Sequence, residues 1–157
     1  MRAHGPRPRT QALDPHCAFL RLITQAVMGS FTDYAEAKIL DHITGKTSFT
    51  MPSVWVALFT VTPTDAGGGT EVTGGSYARK STTGTDWQAA AAGATQNAAA
   101  ITFVTPSGSW GTVVAFALMD AVTAGNMLAW SLLTTPQAVG TGNVVSFAIG
   151  DLDITLD

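Results

Sequence analysis

Residues 113–133, V-V-A-F-A-L-M-D-A-V-T-A-G-N-M-L-A-W-S-L-L, are the stretch whose reading decides the fold. Two apolar segments, 113–119 and 127–133, flank a connection that holds Asp120, Gly125 and Asn126. Segments of that length bounded by turn residues predict neighbouring antiparallel strands. Both are apolar on both faces, which places them in the middle of a sandwich and not at its edge. Nothing in this hairpin carries chemistry.

Working outward, the same signals recur. Residues 54–61 (VWVALFTV) read as another strand apolar on both faces. Residues 77–82 alternate as a strand, and 100–104 and 144–149 are short apolar strands bounded by Pro106, Gly108, Gly140, Gly142 and Asn143. The last seven residues, D-L-D-I-T-L-D, set Leu152, Ile154 and Leu156 against Asp151, Asp153, Thr155 and Asp157, the pattern of a half-buried strand. Residues 63–75 carry five glycines and are expected to be a loop too flexible to pack. The small-residue run 89–92 lies between Gly84 and Gly93 and reads as a short irregular segment. The fold class expected is therefore mainly β: an antiparallel β-sandwich, jelly-roll-like in the broad sense.

Before the strands comes one helix. Ser30 and Asp33 have the spacing of a helix-starting box, and Asp33 and Glu36 suit the positive end of the dipole. Phe31, Ala35, Ile39 and Ile43 recur at four-residue steps, Tyr34 and Leu40 widen the stripe, and Gly45 marks the stop. So short a helix needs the sheet or a neighbouring subunit to be stable. The stripe is thus a candidate assembly surface. Residues 1–27 hold three prolines and four arginines without sustained periodicity. They are expected to be a leader outside the native protein, with Met28 as the start. Residues 28–47 then form a helical arm and residues 48–157 the sandwich.

Composition narrows the function. Only 12% of residues are charged, against about 25% in an ordinary soluble domain. Such a surface suits a protein covered by copies of itself or by partners. From Met28 onward four bases face ten acids, a poor composition for binding nucleic acid. Cys17 is the sole cysteine, so neither a disulfide framework nor a thiolate metal site is expected. No apolar run approaches the ~20 residues of a membrane span.

Candidate chemistry is sparse. His42 is the only histidine after residue 27, and its place near a helix C-terminus suits the dipole better than catalysis. Neither a G-x-S-x-G elbow nor a phosphate-binding glycine frame is present. Asp151 and Asp153, two apart on a strand, are either a carboxylate pair for calcium or glycoside chemistry or a solvated strand face. Trp55 and Trp130 sit within apolar strands as core or interface residues. Trp87 and Trp110 flank loops, where an indole either stacks on a sugar or is buried at the sandwich end or in a subunit contact. No cofactor or catalytic residue is expected.

Several stretches together carry a resemblance: SFTDYAEAKILDHITGK at 30–46, TPTDAG at 62–67, GGSYAR at 74–79, NAAAITF at 97–103, SWGTV at 109–113, GNMLAW at 125–130 and GDLDITL at 150–156. The chain resembles a family of small tailed-bacteriophage virion proteins commonly labelled tail fibre proteins. That resemblance implies a non-enzymatic virion component, in the tail-fibre apparatus or decorating the capsid, assembled in the bacterial cytoplasm. Its implied partners are other virion proteins and copies of itself, a trimer being favoured. A lectin-like module recognising a host surface glycan is the competing reading, with Trp87, Trp110, Asp151 and Asp153 as its candidate contacts.

Overall fold

The computed structural model describes residues 21–22, 27–50 and 52–156. Its strands are β1 (Arg21–Leu22), β2 (Val27–Phe31), β3 (Val54–Val61), β4 (Thr70–Glu71), β5 (Lys80–Thr82), β6 (Ala94–Gln96), β7 (Ile101–Thr102), β8 (Gly111–Met119), β9 (Met127–Val139), β10 (Ser146–Phe147) and β11 (Asp153–Thr155). One helix, α1 (Asp33–Ile43), follows β2, and a single 3-10 turn spans Gly84–Asp86. The main sheet has the order β2-β9-β8-β3-β4, with β5 also pairing to β3. Two small sheets, β1-β10-β7 and β11-β6, complete the fold. Every pairing is antiparallel except that of β1 with β10.

The expected hairpin is the centre of the main sheet. β8 has β3 on one side and β9 on the other, and β9 pairs β2 on its far side. Alternation along these strands builds two apolar layers. Val56 and Leu58 of β3 and Phe116 and Leu118 of β8 face the small sheets, where they join Ile101, Phe147, Leu152 and Ile154 in one buried cluster. Phe116 meets Phe147 with ring centroids 5.7 Å apart. On the opposite face Ala57, Phe59, Ala115, Ala117, Met119 and Met127 form a second buried cluster, flanked by Trp55, Val114 and Trp130. Each large side chain so buried contributes about 1.5–3 kcal/mol. The fold is mainly β and sandwich-like, with one helix near the N-terminus, as the patterning predicts.

The structure corrects four local expectations. The helix opens two residues late: Ser30 and Phe31 are taken into β2, opposite Trp130 and Ala129. Thr32 is the cap, its hydroxyl accepting from the Ala35 N–H at 3.4 Å and donating to the Met127 carbonyl. Phe31 is therefore not part of a helical stripe. The far end matches expectation: Gly45 at φ +73 donates to the His42 carbonyl and Lys46 to that of Asp41, the paired bonds of a Schellman stop.

Second, the glycine loop is not free. Thr70–Glu71 adds a strand to β3, and Gly69 packs so closely that a Cβ there would lie 2.7 Å from the Val61 carbonyl. Third, Tyr77 lies outside β5, because its N–H closes a turn onto the Gly74 carbonyl at 2.8 Å. Fourth, the last strand is shorter than its pattern. Asp151 precedes it in a turn, and Leu156 is 57% exposed because the chain has run past the core. The leader expectation concerns residues 1–27, most of which lie outside the described residues.

Candidate functional site

Of the two loop tryptophans, Trp110 is buried at 3% exposure, its indole N–H donating to the Gly75 carbonyl at 2.9 Å. Its ring meets Tyr77 edge-on at 5.2 Å and Phe103 at 6.4 Å. Gly75 is required here, since a Cβ on it would come within 2.9 Å of that ring. Trp87 is half-buried against the core and donates to the Thr82 hydroxyl at 3.1 Å. Both indoles are thus engaged within the chain. Trp55 and Trp130 are half-buried on the second face of the main sheet, and Trp130 donates to Asp65 Oδ1 at 3.0 Å.

The two aspartates separate in role. Asp151 Oδ2 accepts from the Ala148 N–H at 2.6 Å and so caps the turn into β11. Beside it, fully buried Asn97 satisfies its side chain completely: it donates to the carbonyls of Ala99 and Ala148 and accepts from the Leu152 N–H. Asp153 lies on β11, directly opposite Gln96 of β6. Its carboxylate makes no hydrogen bond within the described residues.

A second polar cluster went unnoticed in the sequence. Arg79, with its side chain 7% exposed, grips Glu71 through two bonds of 2.8 and 2.7 Å. It also donates to the carbonyls of Ala121 and Ala124 at 2.7 and 2.8 Å. A β3 residue from the hairpin's own sheet is tied in as well, because the Tyr77 hydroxyl accepts from the Leu58 N–H at 2.8 Å and donates to Glu71 at 3.1 Å. Burial pushes the Tyr77 phenol well above its ordinary range, and the Glu71 hydrogen bonds raise Arg79 further. Through these bonds the cluster anchors the β8–β9 connection to β4 and β3. Only the alternation of Tyr77 and Arg79 hinted at it.

Gln88, Gln96 and Asp153 share the ribbon that β6 and β11 build. Residues 87–91 run beside β6 through bridges Trp87–Asn97 and Ala91–Ala94, turning at Ala92 (φ 52) and Gly93 (φ 79). Two successive positive φ angles are those of a tight primed hairpin turn. β11 pairs the other edge of β6. A groove of about 450 Å³ crosses this ribbon, lined by Gln88, Gln96, Asp153 and Thr155 with small neighbours including Ala89 and Ala94.

Among the described residues no group of three or more His, Cys, Asp or Glu gathers to hold a metal. No helix among them is long and apolar enough to cross a membrane. On the helix, Ala35 is buried and Tyr34 packs on the core, whereas Leu40 and Ile43 stand 62% and 73% exposed. Compared with known families, residues 30–155 match the family described as Gp80, podophage GP4 fiber I protein gp80. The comparison with curated proteins gives no match.

Proposed function

The chain belongs to the podophage GP4 fiber I protein gp80 family, and from that premise we propose that it is a non-enzymatic structural component of the bacteriophage tail-fibre apparatus. The observation that carries this reading is the extent of the match, which takes in α1 and nearly all of the β body. The placement of the polar groups supports it: Asp151, Asn97, Glu71 and Arg79 are all committed to holding the fold.

In this reading residues 48–157 form the displayed body and the helix is an attachment arm. Its outward Leu40 and Ile43 contact further copies of the chain, three around one axis, or other virion proteins. The test is imaging of intact particles with an antibody raised against the purified chain. Label along the tail fibres is the expected result. Label confined to the capsid overturns the tail placement, and unlabelled particles overturn the virion assignment.

A further inference from the structure

We infer that the cleft at the start of α1 receives the exposed far end of α1 from a second copy, so that copies join head to tail. This deepens the self-association proposed above and rests on it. The cleft, about 410 Å³, lies between the helix start, the β3–β4 loop and the β8–β9 connection. Asp33 and Tyr34 form one wall, Asp65 the second, and Gly125 and Met127 the third.

Its two carboxylates are fixed in place. The Asp65 carbonyl accepts from the Asp33 N–H at 3.1 Å, and Asp65 Oδ1 accepts from the Trp130 indole at 3.0 Å. The Asp33 carboxylate makes no hydrogen bond within the described residues. No Lys or Arg lines the cleft, and Glu36, one turn on from Asp33, adds a third acid to that side of the helix. Tyr34 and Met127, both packed on buried clusters, give the cleft an apolar part.

The far end of the helix has the complementary chemistry. Leu40 and Ile43, three positions apart and 62% and 73% exposed, form one apolar ridge. Lys46, three positions further and exposed, makes no ion pair or hydrogen bond through its side chain within the described residues. The other polar groups near it are engaged or turned in. His42 Nδ1 accepts from the Phe49 N–H at 3.1 Å, Lys38 lies over its own Tyr34 ring at 5.6 Å, and Asp41 is half-buried. Other clefts suit this end less well. The one beside β5 is lined by Arg79 and Lys80 and repels Lys46, and in the one beside β4 the acid Glu71 is already gripped by Arg79.

Both halves of the contact lie on one helix, about 16 Å apart over its eleven residues. Each copy therefore offers a socket at one end and a ridge with its cation at the other. A head-to-tail contact of this kind fills every socket when the copies close into a ring.

The test is charge reversal in the full chain, read by sedimentation equilibrium. Asp33→Lys and Lys46→Glu should each raise the dissociation constant about tenfold. The two reversals in one chain restore an opposite pair at every contact and should bring it back to within about threefold of wild type, a rescue that damage to the helix itself would not give. Carbodiimide treatment of mixed light- and heavy-isotope wild-type chains should join Lys46 of one copy to Asp33 or Asp65 of another, read by mass spectrometry. Absence of these interchain links overturns the inference, and so does a double reversal that fails to rescue. Single reversals without effect, in an oligomer that Leu40→Glu with Ile43→Glu still dissolves, overturn the socket and leave the helix contact standing. A wild-type monomer overturns both.

Discussion

Val113 is fully buried and Leu128 nearly so, both inside the layer between the main and small sheets. Replacing either by Asp places an unpaired carboxylate there, at a cost of several kcal/mol. Val113→Asp and Leu128→Asp should therefore fail to give a soluble, cooperatively melting protein; a sharp thermal transition in Leu128→Asp would mean the core lies elsewhere. Tyr77→Phe is gentler. It removes the acceptor of the Leu58 N–H, a main-chain group that would be left unpaired in a buried strand, and should cost about 1–3 kcal/mol by denaturant melting. A third test concerns pH. The Thr83 N–H and then the Thr83 hydroxyl bind Asp86, holding its carboxyl below the ordinary 3.8. A depressed folded-state value means the turn is favoured above the unfolded value and loses that support as pH falls through the folded one. The Thr83 amide signal should titrate with a midpoint below 3.8; a midpoint at or above it removes the capping role. At this scale the sequence was legible where a residue's own polarity decides its place, as for Val113 or Leu152. It was silent for Asn97 and Arg79, whose partners lie up to 55 residues away along the chain and are supplied by the fold alone.

Whole elements were legible in proportion to their length and the purity of their pattern. β3 matches its expected span end to end, and β8 and β9 contain theirs, because each is apolar on both faces. β4 and β6 have two or three residues each, too few to show a period, and are defined by the ladders they join, whereas β7 falls within the strand expected at 100–104. The helix start was misread because Ser30 and Thr32 both have capping chemistry, and only the pairing of β2 with β9 chooses between them. That pairing also decides what the helix can do. It turns Tyr34 and Ala35 inward and leaves Leu40 and Ile43 in solvent, so only part of the stripe is covered within the chain. Leu40→Glu with Ile43→Glu should reduce a trimer to smaller species in sedimentation equilibrium at micromolar concentration, with the melting temperature of the body nearly unchanged. A wild-type monomer under the same conditions refutes self-association, and an unaltered oligomer in the double variant removes the helix from it.

Across the whole molecule, the main sheet is assembled out of chain order. Its centre, β3-β8-β9, is closed by neighbouring hairpin and crossover pairings, whereas β2 joins through Val27 opposite Leu132, Ser30 opposite Trp130 and Phe31 opposite Ala129. Elements held on one side by so distant a partner open most easily. Amides of β2 and α1 should therefore exchange with deuterium well before those of β8, and equal protection throughout would show that the arm and body open as one unit. The same arrangement sets a timetable for biosynthesis. β2 and α1 leave the ribosome before the strand they dock against, which follows about a hundred residues later, an interval of roughly 5–20 s at ordinary elongation rates. During that interval β2 and α1 have no β9 of their own chain to lie on.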